Sequence, residues 1–414
     1  MMKTMVKRRP ELLAPAGDAE RLEAALLFGA DAVYLGGKLF NMRAATESFD
    51  DEALKSAVDK CHEKGVAVHL VANTLPRNDE VSALPAFFES AAKAGVDAFI
   101  IADIGVMRAA QKYAPGIDIH MSTQTGVVNY DTASALYDLG AKRIVMAREV
   151  SLKEIAEIRA KTPKDLEIEC FVHGAMCMSF SGRCMLSNYL TGRDANRGDC
   201  AQPCRWKYHL VEEKRPGQYF EITDSEEGTY ILNSQDMCMI EHIGELVDAG
   251  VDSFKIEGRA KSAYYAAAVT NAYRAAIDEY LKNPSVDFRP SQWIIDEMRK
   301  ISYRDYCTGF YFNSPNENAH VYYDGIYIRE WDIVANVLGS DGEYLEVIQR
   351  NRFFKGDELE VLMPQTEPFT IKAEVMINED GEEVDVAPNP MAKIRIKCDR
   401  QIPAGSILRK IRDE

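Results

Sequence analysis

Long apolar runs are missing from this chain. Nothing approaches the roughly 18 unbroken apolar residues of a membrane span, and the basic start, Met1 to Gly17, lacks the apolar stretch of a signal peptide. These absences lead to the expectation of a cytosolic protein with no membrane partner. Also lacking are a G-x-S-x-G elbow, an H-E-x-x-H helix and a G-x-x-x-x-G-K-S/T loop, which removes the residues of serine hydrolases, zincins and P-loop enzymes. Positive charge is in deficit, with 49 Lys and Arg against 65 Asp and Glu and a net charge of −16. That balance argues against indiscriminate nucleic-acid binding, because phosphate contacts need local cations to displace counterions. Nine cysteines in 414 residues are too few for a disulfide scaffold, so their placement matters more than their number.

What is present supports a large enzyme. With 46% hydrophobic residues the chain can bury an extensive core, and its length suggests two or more folding units. One phrase repeats along the first 260 positions: a helix-ending glycine, a polar step, then an apolar run closing on a polar residue or glycine. It reads FGADAVYLGG, KGVAVHLVAN, AGVDAFIIAD, LGAKRIVMAR and AGVDSFKIEG. Glycine there suits a left-handed helix cap, and the continuous apolar run suits a strand buried on both faces. Adding ELLAPAG, IDIHMSTQ and LEIECFVHG gives eight strands separated by amphipathic helices such as Asp51 to Lys64 and Ser151 to Lys161. Eight parallel strands with right-handed crossovers predict an α/β fold, a (β/α)8 TIM-like barrel; a doubly wound open sheet is the alternative. The barrel is expected over 1–283, with a Cys-rich insertion over 174–230. A linker and aromatic connector then spans 284–330, and 331–414, with its short alternating strands and turns SDGE, FKGD, EDGEE and PAGS, reads as a small antiparallel β-barrel.

Strand-ending polar residues of a barrel gather at one rim, where barrel enzymes place their chemistry. That rim would carry Asp18, Asn73, Asp103, Gln124, Arg148, His173, Glu257 and Arg259, with Arg43 able to reach the same mouth. Five cysteines, Cys170, Cys177, Cys184, Cys200 and Cys204, crowd one short stretch. Cys170 lies inside an apolar strand and reads as a core thiol. The other four are spaced C-x6-C-x15-C-x3-C, with Cys238 further on as an alternative fourth ligand. Four thiolates suit a structural zinc or a cubane iron–sulfur cluster, and the lack of two tight knuckles leans toward iron–sulfur. A basic patch accompanies them, with Arg183, Arg193, Arg197, Arg205 and Lys207 outnumbering Asp194 and Asp199.

The stretches FVHGAMCMSFSGRCMLSNYLTGRD and NRGDCAQPCRWKY resemble the signature of the U32 peptidase family, and PELLAPAGD, ADAVYLGG, HMSTQ, FKIEGR and YRDYCTGFYF extend the resemblance over nearly the whole chain. Within that family, one barrel followed by one C-terminal β-barrel is similar to the bacterial prephenate-dependent enzymes that hydroxylate the wobble uridine, U34, of tRNA at its 5-position. Other branches hydroxylate ribosomal RNA or the ubiquinone ring, and a peptidase of collagenase type is the rival reading. The resemblance implies a 4Fe–4S cluster held by Cys177, Cys184, Cys200 and Cys204, or by Cys238 in place of one, with prephenate as co-substrate and tRNA as partner. Prephenate is a dicarboxylate, which makes Arg43, Arg148, Lys255 and Arg259 its candidate partners, with Glu257 beside them and His173 as a candidate proton shuttle. For the RNA, Trp206, Tyr208, Tyr303 and Tyr306 are candidate stacking surfaces beside the basic patch.

Overall fold

The computed structural model describes residues 9–42, 48–176, 184, 186–195, 199–206, 210–211, 219–220, 235–312 and 327–412. The first seven strands follow one another as β1 (Glu11–Pro15), β2 (Ala32–Gly36), β3 (Ala67–Ala72), β4 (Ala98–Ile101), β5 (Asp118–Met121), β6 (Arg143–Val145) and β7 (Glu167–Ala175). After the short strands β8 (Leu210–Val211), β9 (Tyr219–Phe220) and β10 (Asp236–Cys238) comes β11 (Ser253–Ile256). Each of β1 to β6 pairs in parallel with the next, and β11 pairs in parallel with both β1 and β7. The ring closes. The eight strands are the five read from the repeating phrase and the three added to them, so the barrel is borne out and the open sheet is not.

Helices coat the ring between strands: α1 (Ala19–Leu27), α2 (Asp51–Glu63), α3 (Asn78–Val81), α4 (Leu84–Ala94), α5 (Ile104–Tyr113), α6 (Tyr130–Asp138) and α7 (Leu152–Lys161). Their starts are written in the sequence. Asp18, Asp50, Asp103, Asn129 and Ser151 each accept a hydrogen bond from a backbone N–H three residues on, which satisfies one orphan donor per helix. Further on come α8 (Leu186–Thr191), α9 (Ile243–Asp248), α10 (Ala263–Lys282) and α11 (Gln292–Glu297). The main core lies between ring and helices and includes Leu12, Val33, Val68, Phe99, Ile144, Ile168 and Phe254. Among the described residues no helix is long and apolar enough to cross a membrane.

Strand β7 is longer than its neighbours, and its surplus organises the insertion. Its first half closes the barrel against β11, while His173, Gly174 and Ala175 pair antiparallel with β10. Gly174 sits at φ +107°, and a Cβ there would collide with the Glu257 carbonyl and crowd Tyr265. Only glycine accommodates that turn of the strand. A second addition is β12 (Tyr306–Cys307), which pairs with β10, so part of the segment expected to be a connector joins the main sheet.

The last domain is antiparallel throughout, as expected, and its main sheet curves into a half-barrel. Its strands are β13 (Trp331–Ser340), β14 (Tyr344–Gln349), β15 (Phe353–Phe354), β16 (Glu358–Leu362), β17 (Phe369–Lys372), β18 (Met376–Ile377), β19 (Val386–Ala387), β20 (Lys393–Lys397) and β21 (Ile407–Ile411). Seven of them form a half-barrel sheet in the order β17-β16-β21-β13-β14-β20-β18, with β15 and β19 as a separate ribbon. The sheet has its own core, yet Leu362 and Ile407 pack into the core of the (β/α) barrel. A buried ion cluster ties the two together. Arg409 of β21 bonds Glu297 of α11 at 2.5 Å and Glu360 of β16 at 2.8 Å, and it donates to the Tyr264 hydroxyl of α10 at 3.1 Å.

Candidate active site

The C-terminal ends of the barrel strands open into a cavity of about 1140 Å³. Its floor is built by inward-pointing residues of the ring: Tyr34, Val71, Ile100, Val145, Phe171 and Lys255. Alternation along each strand puts these side chains inside. Of the expected rim residues, Asp18, Asn73, Gln124, Arg148, Glu257 and Arg259 line the cavity together with Lys255. Asp103 does not; it caps α5 through the Val106 N–H.

The cations are held from behind. Lys255, on β11, pairs with the fully buried Glu169 at 2.8 Å and lies 4.7 Å from the centre of the Tyr34 ring. Glu169 also bonds Arg143 at 3.0 Å, and Arg143 reaches Glu11 at 2.5 Å, so a charged chain runs down the barrel interior. Burial works to raise the Glu11 carboxyl, but His69, then Arg143, and hydrogen bonds from Arg143 and Ser253 bring it down to about 2. Arg148 stacks on Phe171 with its guanidinium carbon 3.8 Å from the ring centre, donates to the Ala175 carbonyl at 2.6 Å and lies 3.6 Å from Glu257. Arg259 is almost wholly buried and stands 5.7 Å from the Tyr34 ring centre. A side chain at Gly36 would strike both Asn41 and Arg259, so that glycine keeps room for the guanidinium. Opposite the cations, Asn73 donates to Gln124 at 2.6 Å, which gives one wall a neutral polar surface.

The roof comes from two places. Cys184, Cys200 and Cys204 line the cavity from the insertion, whereas Tyr327, Arg329, Trp331, Ile333 and Arg350 line it at the approach to and within the C-terminal domain. The sequence offers no catalytic constellation in that domain, yet it supplies cavity wall; the alternation that puts Trp331 and Ile333 on one strand face is the available signal. The Cys184 sulfur accepts from the Leu186 N–H at 3.4 Å, and the Cys200 sulfur from the Gln202 N–H at 3.3 Å. Backbone donors two residues after the sulfur stabilise thiolate charge, and Gln202 adopts a left-handed φ of +56° in making its turn. This donor set and its setting fit an iron–sulfur cluster, whose ligands are thiolates bonded to backbone amides. Cys177, expected as the fourth thiolate, lies outside the described residues; it follows Met176, which lines the cavity.

Other candidates fall away from the cavity. Cys238, on β10, does not line it, and burial pushes its thiol up to about 12. Cys170 is buried in β7, where burial raises its thiol well above the ordinary range, as its apolar surroundings suggest. His173 is 1% exposed and packed among Tyr265, Tyr273 and Tyr306. Strict alternation would put it on the inner face with Glu169 and Phe171. The ladder between β7 and β11 slips by one residue there, pairing Ile256 with His173, so the ring turns outward. Burial lowers its pKa to about 3 and keeps it neutral. Tyr303 and Tyr306 stack on each other with ring centres 5.0 Å apart, as packing rather than as a surface for a base. Of the basic patch, Arg193 is exposed and pairs with Asp199 at 2.7 Å, and Trp206 is exposed beside the short 3-10 turn Pro203–Arg205. Arg43, Arg183, Arg197, Lys207 and Tyr208 lie outside the described residues, and so does the side chain of Arg205.

Sequence comparisons agree with this geometry. The model of peptidase family U32 matches residues 17–321, and that of the U32 C-terminal domain matches residues 329–409. The chain is 35% identical to tRNA hydroxylation protein P1 of Bacillus subtilis, covering 99% of this chain and 96% of that one. It is 33% identical to tRNA hydroxylation protein P of Escherichia coli, covering 92% of each. It is also 32% identical to a collagenase of Porphyromonas gingivalis, over 86% of this chain and 87% of that one. With both family models matched in order along nearly its full length, the chain belongs to peptidase family U32.

Proposed function

We propose that this protein hydroxylates tRNA, at the 5-position of the wobble uridine U34, using a 4Fe–4S cluster and prephenate. The observation that carries the reading is the combination of a cationic, aromatic-lined cavity with three thiols opening into it, in a chain similar over almost its whole length to two proteins named for tRNA hydroxylation. The collagenase name on a third relative favours a peptidase. Against that stands the cavity, whose described lining holds no serine or cysteine beside a histidine of the kind acyl transfer needs.

In this reading Arg148, Lys255 and Arg259 take up the two carboxylates of prephenate, with Arg43 as a further candidate. Guanidinium and ammonium groups already fixed by Phe171, Glu169 and Tyr34 lose little freedom when an anion arrives. Glu257, 3.6 Å from Arg148, is placed to exchange a proton with a bound acid or base. Cys184, Cys200 and Cys204, with Cys177, would hold the cluster, whose chemistry is electron transfer or ligation of a substrate oxygen. The volume exceeds the ~300–1,000 Å³ of a usual small-ligand pocket, which leaves space for an extruded base beside the acid. Trp206 and Arg193, exposed on the insertion that carries the thiols, suit contacts to the bases and phosphates of the flanking nucleotides.

Nucleoside mass spectrometry of tRNA from cells lacking the gene tests the reading. Loss of 5-hydroxyuridine-derived nucleosides, restored by the wild-type gene, is expected; unchanged nucleosides in cells that have no second copy of the enzyme contradict it.

A further inference from the structure

One layer beneath the cavity floor, two imidazoles and a carboxylate face one another inside the barrel. His69, His120 and Glu169 each sit two residues before a floor or wall residue, namely Val71 and Phe171 on their own strands and Ser122 just past the end of β5, and so share the inner face. One ligand atom from each lies within 4.8 Å of the other two. The imidazole rings meet edge to face with centres 4.6 Å apart. All three side chains are almost fully buried, at 3%, 2% and 0% exposure. The Nδ1 atoms of both histidines are buried without a hydrogen-bond partner, which is costly for a polar atom in a protein interior.

We propose that His69, His120 and Glu169 bind a divalent first-row transition ion of the zinc, iron(II) or cobalt(II) class. Imidazole with carboxylate is the donor set such ions prefer, and a binding role accounts for two buried ring nitrogens that nothing else satisfies. Burial holds both imidazoles below their ordinary pKa. Arg143 and Lys255 stand beside the same carboxylate and oppose a cation. They are outnumbered by Glu11, Glu167 and Glu169, which surround Arg143 at 2.5, 2.7 and 3.0 Å, and the excess negative charge offsets the repulsion. Glu169 keeps room for the ion, because Oε1 accepts from Lys255 while Oε2 accepts from Arg143 and Ser253, and each carboxylate oxygen offers about two lone-pair sites. Sealed from the cavity by the floor, the ion is structural: it fixes the charge beneath Lys255 and touches no substrate. The site is independent of the cysteine loop and of the reading of function.

The two sites separate by spectroscopy. Full-length protein, treated with a chelator under anaerobic conditions, is titrated with Co²⁺, and visible d–d bands are followed alongside near-ultraviolet thiolate charge-transfer bands. Expected are d–d bands saturating at about one ion per chain without thiolate charge transfer, kept in Cys200→Ser and weakened at least about 100-fold in affinity in His69→Gln and His120→Gln. Folded wild-type protein that develops no such bands overturns the proposal, whatever the variants do. Bands of equal affinity in folded His69→Gln and His120→Gln overturn it too.

Discussion

The floor and the roof of the cavity are built on opposite plans. Cations of the barrel mouth stand on a ring strand or in the turn just after one, each braced by a buried partner: Lys255 of β11 by Glu169, Arg148 after β6 by Phe171 and the Ala175 carbonyl. Roof thiols stand on short turns of an insertion, braced by single backbone amides from Leu186 and Gln202. Charge that must not move is placed on the barrel, and thiols that would close around a cluster in the proposed function are placed on loops. The comparison also explains the long β7, which joins the two regions through Gly174.

The floor should be the less forgiving of the two. Glu169→Ala leaves Lys255 and Arg143 buried beside an empty position, a loss of about 3–5 kcal/mol in stability, measurable by denaturant unfolding; a change below 1 kcal/mol would show that the charged chain is not braced as described. Gly174→Ala forces a side chain into a left-handed backbone and against the Glu257 carbonyl, at a cost of about 1–3 kcal/mol. If the junction transmits to the roof, iron content falls as well, and unaltered iron content would decouple the two regions.

Acid should act through His173. Its folded pKa of about 3 lies below the ordinary 6.5, so between these values the unfolded chain binds the proton that the folded chain refuses. Stability from this residue is fully present above pH 6.5 and falls as pH drops from 6.5 to 3, by up to about 1.4 kcal/mol per pH unit. Replacement by Phe should flatten that slope, read from unfolding curves across the window; an unchanged slope would assign the acid response elsewhere, for instance to Glu11. The smallest stability effect is expected at the roof's far edge. Arg350→Ala breaks an outer ion pair with Glu20 worth no more than about 1 kcal/mol, yet removes a cation from the cavity wall, so kcat/KM for tRNA should fall while unfolding hardly changes.

Strand identity was legible because a ring strand buried on both faces leaves an unbroken apolar run after a glycine cap. The polar interior was not. His69, His120 and Glu169 are single polar residues inside such runs, Glu11 and Arg143 stand at the start of theirs, and a run read as continuous hides which face each one takes. His173 shows the opposite failure: a histidine at a strand end looks like a rim residue until a one-residue slip turns it outward. The alternation of Trp331 with Ile333 signals a shared strand face but not what that face meets, because the contribution of Trp331 and Arg350 depends on how two domains dock, through Arg409, Glu297 and Glu360. The cysteine spacing was legible because sequence proximity alone brings its thiols to one mouth.

The sharpest measurement compares the two plans in one protein. Anaerobically purified Arg259→Ala and Cys200→Ser are assayed for the visible absorbance and iron of the cluster and, in gene-deleted cells, for restoration of 5-hydroxyuridine-derived nucleosides in tRNA. Arg259→Ala should keep its colour and iron and fail to restore the nucleosides, while Cys200→Ser should lose both. Wild-type protein that is colourless and iron-free, or an Arg259→Ala variant that restores modification in full, would contradict a cationic floor and a thiolate roof working on one substrate.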